Sequence, residues 1–246
     1  MRTRTRRLLL GAGAVPVVLA AVLGIEVQLA RNGPDLPDSP PLDHDGHLGG
    51  DGPALRMVWL GDSTAAGVGA SSADRAMPRR VARALGRPVD LTVLAVSGDR
   101  VSDVVDDQVG ALAALRPDVV LVSIGANDVV HLTSNDAYRD AYEDLVAAVP
   151  DGAQLVVLGV PDMGAPPRFA QPLRAVAGWR GRQLDRTSRE VADDAGALYV
   201  DIAGETGPAM RADPGRLFAV DKYHPSDDGY ALWAEAVVKV LAKELR

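Results

Sequence analysis

Three residues of this chain have the types and spacing needed to activate a hydroxyl group. Ser63 ends the run MVWLGDS at residues 57–63, and Asp221 and His224 lie three residues apart near the C-terminus. A serine hydroxyl is a weak nucleophile unless a base lies within hydrogen-bond reach. A carboxylate close to a histidine fixes the tautomer that can act as that base. His224 and His131 are the only histidines after residue 53. The pattern therefore predicts a nucleophile, a base and an orienting carboxylate.

Two further positions carry hydrogen-bond donors of the kind that stabilise an oxyanion. Acyl transfer places negative charge on an oxygen, and preorganised N–H groups lower the energy of that state. The backbone N–H groups of Ser63 and Gly98 and the side-chain amide of Asn127 are suitable donors. Gly98 can also simply supply a positive φ at a turn, and Asn127 is an ordinary turn residue.

The remaining polar residues near these positions are assigned structural roles. Asp62 and Asp128 flank the predicted chemistry, and we expect them to support the site rather than to react. His131 is expected to be a surface loop residue. Residues 224–226 are also compatible with a plain helix N-terminus, because the carboxylates of Asp227 and Asp228 would interact favourably with the helix dipole.

Alternating strands and helices must position these residues. Apolar runs predict strands at 55–60, 89–96, 118–124, 154–160 and 197–202, and spaced apolar residues predict helices at 72–85, 101–115, 135–149, 173–195 and 227–245. Strands that are apolar on both faces indicate a parallel sheet covered on both sides. We therefore predict a three-layer α/β/α domain over residues 54–246, whose strand ends bring the polar loops to one edge.

Composition narrows the classes of function. The 246 residues suffice for one domain, and the net charge is −7. Residues 1–31 hold five Arg and one Glu, a charge of +4, which leaves −11 for residues 32–246. So acidic a domain is a poor candidate for nucleic-acid binding. There is no cysteine, which excludes disulfides and thiolate metal sites. We expect no metal and no cofactor.

The N-terminus has the composition of a targeting segment. Arg2, Arg4, Arg6 and Arg7 precede an uncharged apolar run over residues 8–25. Eighteen helical residues span roughly 27 Å, enough for the hydrocarbon core. We predict that residues 1–31 form an uncleaved signal anchor, with a cleaved or twin-arginine export signal as the alternative. The domain would then be extracytoplasmic and held at the membrane, or secreted.

A tether is predicted between the two parts. Fifteen of the twenty-one residues at 33–53 are Pro, Gly or Asp. Such a stretch has little apolar surface to offset its ordering entropy, so residues 32–53 are predicted to be a disordered linker. His44 and His47 are interpreted as solvated linker residues in preference to metal ligands. Residues 1–53 are accordingly expected to be dispensable for catalysis.

Four sequence blocks together resemble the SGNH hydrolases, also called GDSL-type esterases and lipases. The blocks are Gly-Asp-Ser at 61–63, Gly98, Gly-Ala-Asn-Asp at 125–128 and Asp-Lys-Tyr-His-Pro at 221–225. They occur in order over residues 57–226. The resemblance implies Ser63 as nucleophile, Ser63, Gly98 and Asn127 as the oxyanion hole, His224 as base and Asp221 as its orienter. It also implies a flavodoxin-like five-stranded parallel sheet of order 2-1-3-4-5. Thr64 stands where the family name has Leu, a position without a chemical role.

Several functions are compatible with these residues. The leading hypothesis is a serine esterase that transfers an acyl group to water. An acyltransferase or a deacetylase acting on cell-envelope carbohydrate would use the same side chains, and an inactive α/β binding module is the alternative from another class. Residues 161–179 and 203–221 are candidate cover segments, but neither carries a long amphipathic stripe. We therefore expect an open, shallow cleft for short acyl esters.

Overall fold

The central sheet has six strands, five of them parallel. The computed structural model describes residues 20–244 of the chain. Its strands follow the spatial order β1-β3-β2-β4-β5-β6, with bounds β1 Gly46–Leu48, β2 Leu55–Gly61, β3 Val89–Val93, β4 Val119–Ser123, β5 Gln154–Leu158 and β6 Leu198–Val200. Strands β3, β2, β4, β5 and β6 pair in parallel. The predicted 2-1-3-4-5 order of the parallel strands is therefore confirmed.

Helices connect the strands and cover both faces. They are α1 over residues 20–31, then α2 Met77–Ala84, α3 Val101–Asp107, α4 Leu112–Leu115, α5 Ala126–Val130, α6 Asn135–Ala147, α7 Leu173–Asp194, α8 Ile202–Ala212, α9 Pro214–Leu217 and α10 Asp227–Glu244. Two 3₁₀ turns occupy Ala73–Arg75 and Val109–Ala111.

The two faces of the sheet bury separate apolar clusters. Side chains alternate along a strand, so Val58 and Leu60 of β2 join one cluster while Met57 and Trp59 join the other. The first cluster packs against α3, α6 and α7, and the second against α2 and α10. This arrangement confirms the three-layer α/β/α architecture.

The prediction of a disordered linker over residues 32–53 is wrong for its C-terminal part. Strand β1 pairs antiparallel with β3 at the edge of the sheet. His44 is only 4% exposed, and its Nε2 lies 3.0 Å from the carbonyl oxygen of Ala66. Asp45 accepts a hydrogen bond from the N–H of Val93, and Leu48 is buried. The unpaired edge of β3 orders a segment whose own composition offers little apolar surface. The folded domain thus begins before residue 54.

Helix α1 also contacts the domain. Glu26 is buried, and its Oε2 accepts a hydrogen bond of 2.7 Å from the N–H of Leu173 at the start of α7. Carboxylates are favourable at that end of a helix. Ala30 packs in the first core cluster, and Arg168 donates to its carbonyl oxygen.

The predicted membrane anchor lies largely outside the described residues, which begin at residue 20. Over residues 20–244, the length and apolarity required of a membrane-spanning helix are not met by any helix.

Two other expectations about elements need correction. The single helix expected over 101–115 is divided into α3, a 3₁₀ turn and α4. Buried Gln108 ends α3, where its side chain bonds both backbone groups of Gly61. The candidate cover segment 203–221, for which no helix is predicted, contains most of α8 and all of α9. Asp201 caps α8 by accepting from the N–H of Gly204, and Pro208 lies within that helix.

Candidate active site

Ser63 lies in a tight turn directly after β2. Gly61 has φ of +144°, and a Cβ there would lie 2.0 Å from the carbonyl oxygen of Ser123. Only glycine therefore permits the close approach of β2 and β4 at this point. The turn is closed by hydrogen bonds from Ala66 N–H to Asp62 and from Val68 N–H to Ser63. The side chain of Ser63 is consequently held at the strand end.

Asp221, His224 and Ser63 form one continuous chain of hydrogen-bonding atoms. His224 Nε2 lies 3.0 Å from Ser63 Oγ, and His224 Nδ1 lies 2.6 Å from Asp221 Oδ2. The histidine and the serine are 161 positions apart in sequence. The structure thus brings together the three residues that the sequence singled out.

A short backbone motif holds the carboxylate in place. Lys222 adopts a left-handed conformation with φ of +60°. In this turn the N–H groups of Tyr223 and His224 both donate to Asp221 Oδ1 at 3.1 Å. Both oxygens of Asp221 are therefore occupied, one by backbone and one by the imidazole.

The charge state of Asp221 follows from these contacts. Burial raises the pKa of its carboxyl group, but the hydrogen bonds from His224 and from the two backbone N–H groups outweigh burial and hold the pKa below its usual value. An ionised carboxylate only accepts hydrogen bonds. Nδ1 of His224 must therefore carry the proton, which leaves the Nε2 lone pair directed at Ser63.

Two aromatic rings and one arginine contact the loop that carries Asp221 and His224. The ring of Tyr223 meets His224 edge-on at 5.0 Å between centroids and packs against Phe169 at 5.6 Å. Burial raises the pKa of the Tyr223 hydroxyl above its ordinary value. Arg168 donates to the carbonyl oxygen of Asp221 at 3.1 Å and to that of Pro34 at 2.6 Å. It thereby ties the loop to the segment that follows α1.

The candidate oxyanion donors lie on neighbouring loops. Asn127 is near the start of α5, and its Nδ2 donates to the carbonyl oxygen of Asp99 at 2.9 Å. This bond joins the loop after β4 to the loop that holds Gly98, which has φ of +99° and is exposed. Among residues 20–244 the backbone N–H groups of Ser63 and Gly98 make no hydrogen bond. Two donors and one amide hydrogen of Asn127 are therefore free.

The two aspartates assigned structural roles make hydrogen bonds within the fold. Asp62 Oδ1 accepts from both the N–H and the hydroxyl of Thr64 at 2.8 Å. Asp128 Oδ2 accepts from the N–H of Val101, at the first residue of α3. Burial raises the pKa of Asp62 to about 6 and also raises the pKa of Asp128. His131 is exposed, with Nδ1 at 2.9 Å from the carbonyl oxygen of Asn127.

A small apolar cavity opens beside Ser63 and His224. Its volume is about 30 Å³, room for about two water molecules. Its walls include the apolar side chains of Met163, Ala165, Met210 and Phe218. In the sequence these residues belong to the candidate cover segments 161–179 and 203–221, which were expected to leave an open, shallow cleft. The N-cap at Asp201 was the signal that could have revealed α8, which carries Met210.

Comparisons with known proteins converge on one family. The family described as the GDSL-like Lipase/Acylhydrolase family matches residues 59–232. The "GDSL-like esterase Rv1075c" of Mycobacterium tuberculosis (strain ATCC 25618 / H37Rv) is 32% identical over 225 residues, which cover 85% of this chain and 71% of that protein.

Solved structures share the fold at lower identity. LAE5, described as an alpha/beta hydrolase enzyme from the metagenome of Lake Arreo, Spain, is similar with a TM-score of 0.63 and 23% identity, covering 77% of this chain and 96% of its own. A variant of Axe2, an acetyl xylan esterase from Geobacillus stearothermophilus, has a TM-score of 0.60 and 21% identity, covering 76% of this chain and 94% of its own.

Proposed function

The chain belongs to the GDSL-like lipase/acylhydrolase family, and from this we propose that it is a serine esterase that hydrolyses short-chain acyl esters through an acyl-enzyme. The observation that carries the proposal is the chain of contacts from Asp221 through His224 to Ser63. In that chain a base lies within hydrogen-bond reach of a hydroxyl, and a carboxylate orients the base.

Acylation would proceed as follows. Nε2 of His224 accepts the proton of Ser63 as Oγ attacks the acyl carbon, and ionised Asp221 stabilises the imidazolium that forms. The negative oxygen of the tetrahedral intermediate accepts hydrogen bonds from the N–H groups of Ser63 and Gly98 and from the Asn127 amide. His224 then returns the proton to the leaving alcohol. Deacylation repeats these steps, with water in place of the Ser63 hydroxyl.

The cavity beside Ser63 supports a preference for short acyl groups. A volume of about 30 Å³ accepts an acetyl group more readily than a long chain. Its walls include buried side chains of α8 and of the loops at 161–166 and 218–225. Because a packed wall resists extra methylenes at a cost of typically 1–3 kcal/mol, we propose that chain length is limited here.

The serine assignment is tested with a fluorophosphonate probe and with p-nitrophenyl acetate. We expect the unmodified chain to be labelled once, and Ser63→Ala to lose labelling and about 10⁴-fold or more of kcat. The matched control is Ser72→Ala, because Ser72 is exposed and its side chain makes no capping hydrogen bond. Persistent labelling of Ser63→Ala would place the nucleophile elsewhere.

We also propose that the domain acts outside the cytoplasm. The four arginines and the apolar run over residues 8–25 support an N-terminal membrane anchor. A C-terminal alkaline phosphatase fusion should be active with the complete N-terminus and inactive when residues 1–31 are deleted. An inactive full-length fusion would contradict this localisation.

A further inference from the structure

A second, wider groove adjoins the cavity beside Ser63. It has a volume of about 510 Å³, within the range of small-molecule sites. The groove and the small cavity share Asp162 and Ala165 in their walls. A substrate whose acyl group occupies the small cavity can therefore extend its alcohol part into the groove.

Three arginines give this groove a positive charge. Arg174 and Arg182 come from α7 and Arg211 comes from α8, whereas Asp162 is the one carboxylate in the lining as described. Asp162 already forms an ion pair with Arg211. The lining thus carries a net charge of +2, in a chain whose total is −7. A concave basic surface of this kind concentrates anions.

Two of the guanidinium groups have unused donors. The Nε of Arg174 donates to the carbonyl oxygen of Phe169 at 2.9 Å, which leaves its two Nη atoms without a partner in residues 20–244. Arg182 makes no ion pair or hydrogen bond within the same residues. A guanidinium presents five donors in a planar fork that matches a carboxylate or a phosphate. These two side chains are therefore available to an anionic ligand.

Gly164 and Gly178 let the loop after β5 pack closely on α7 between the two arginines. Arg174, Gly178 and Arg182 follow one another at intervals of four residues on one face of α7. A Cβ at Gly178 would lie 3.1 Å from the Cα of Gly164 and 3.5 Å from Nη1 of Arg182. Eight helical residues separate the arginine backbones by about 12 Å along the axis. The groove thus offers an extended surface rather than a site for one small ion.

We propose that this groove is the subsite for the alcohol part of the substrate and that this alcohol carries a phosphate or carboxylate group. The inference rests on the proposed esterase function, because the adjoining small cavity is taken to hold the acyl group. The anion would bind Arg174 or Arg182 while the rest of the alcohol lies along the groove, and neutral esters would lack the contact with a guanidinium group. The enzyme would then prefer acetyl esters of alcohols that carry a carboxylate or a phosphate group to acetyl esters of neutral alcohols.

The test compares two 6-O-acetylglucose esters that share the scissile bond and differ at the anomeric position, the neutral methyl 6-O-acetylglucoside and the anionic 6-O-acetylglucose 1-phosphate. We expect kcat/KM of the unmodified enzyme to be at least about tenfold higher for the phosphate, as for one charge-assisted contact. In Arg174→Gln/Arg182→Gln the ratio should fall below about twofold, while p-nitrophenyl acetate is hydrolysed as before. Arg87→Gln/Arg186→Gln is the matched control, since it removes two exposed arginines outside the groove. It should keep the unmodified ratio.

A further comparison identifies the source of the anion. If phosphatidylglycerol vesicles compete with the sugar phosphate in the unmodified enzyme but not in the groove variant, a lipid headgroup enters the groove. If only soluble 6-O-acetylglucose 1-phosphate responds to the arginines, the ligand is a soluble carbohydrate. A ratio near one in the unmodified enzyme, or a ratio unchanged in the groove variant, would overturn the proposal.

Binding measured without catalysis separates this inference from the proposed function. Glucose 1-phosphate should bind Ser63→Ala in calorimetry and should not bind the same protein with both groove arginines replaced. Arginine-dependent binding without any ester hydrolysis would refute the esterase and retain the groove. Ser63-dependent hydrolysis without an arginine effect would refute only the groove.

Discussion

Asp62 and Asp221 flank the proposed nucleophile in space, yet their surroundings act on their charge in opposite directions. Both are buried. Asp221 accepts three hydrogen bonds that favour its ionised form. Asp62 has only Thr64 as side-chain partner, and its Oδ2 has none in the described part of the chain. These surroundings thus stabilise the ionised form of Asp221 and destabilise the ionised form of Asp62.

Because the ionised form of Asp62 is destabilised in the fold, the stability of the protein should depend on pH. Burial raises its folded-state pKa to about 6 from 3.8, so between these values the folded state binds more protons than the unfolded state. The free energy of unfolding contributed by this group therefore falls as pH rises through 4–6. Asp62→Asn removes this dependence. The free energy of unfolding of the variant minus that of the unmodified chain should therefore be about 1–2 kcal/mol higher at pH 8 than at pH 5. Urea unfolding at the two pH values measures it. If this difference is the same at both pH values, or is lower at pH 8, the pKa of Asp62 is not raised by burial.

Asn127 illustrates a residue whose position serves two purposes. Its amide already binds the carbonyl oxygen of Asp99, and its second hydrogen is free. Asn127→Ala should lower kcat by about 10²–10³-fold as one lost oxyanion donor, with KM nearly constant. Kinetics on p-nitrophenyl acetate measure this effect, with the melting temperature as a control for the lost Asp99 contact. A change in kcat below fivefold would remove Asn127 from the oxyanion hole.

At the scale of elements, the parallel strands were predictable and the edge strand was not. Strands such as β4, with all five residues buried, appear in the sequence as continuous apolar runs. Strand β1 is three residues long, and its order comes from pairing with β3, which is 43 residues away in sequence. Helix α8 was missed because Gly204, Gly207 and Pro208 disfavour helix locally. Tertiary packing decides both cases.

The candidate catalytic residues could be predicted from sequence motifs, whereas the walls of the cavity and of the groove could not, because they depend on tertiary packing. Ser63, Asp221 and His224 lie at strand ends and in one turn, so type and spacing identified them. The walls at Met210 and Phe218 depend on how α8 and the following loop fold over the site. The arginines of α7 read in sequence only as a polar helix, because no local pattern shows which of them faces a groove.

The edge strand leads to a prediction about where the domain begins. A chain starting at residue 40 keeps β1 and buried His44, whereas a chain starting at residue 52 loses both and exposes the edge of β3. Burial of Leu48 alone contributes about 2 kcal/mol. The shorter chain should therefore melt about 5–10 °C lower and be more prone to aggregate. Calorimetry of both chains measures the difference. Equal melting temperatures would restore residues 32–53 to the role of a simple linker.

At the scale of the whole molecule, the segments expected to leave a shallow cleft instead wall a small cavity. Met163, Ala165, Met210 and Phe218 are all buried, although they come from three separate parts of the chain. Helix α8 and the loop after β5 pack against each other and leave about 30 Å³ beside Ser63. The proposed limit on the size of the acyl group would therefore come from the assembly of these segments and from no single motif.

This cavity predicts the acyl-chain profile. In a p-nitrophenyl ester series from acetate to palmitate, kcat/KM should be highest at two to four carbons and fall about tenfold or more by eight, because each excess methylene meets packed side chains. No increase is expected when micelles form. Met210→Val should widen the cavity and move the optimum to longer chains. Met77→Val is the matched control, because Met77 is also buried but does not line this cavity. It packs in the second core cluster, between the sheet and helices α2 and α10. An optimum at twelve carbons or more, or the same shift in both variants, would show that this cavity does not select the acyl group.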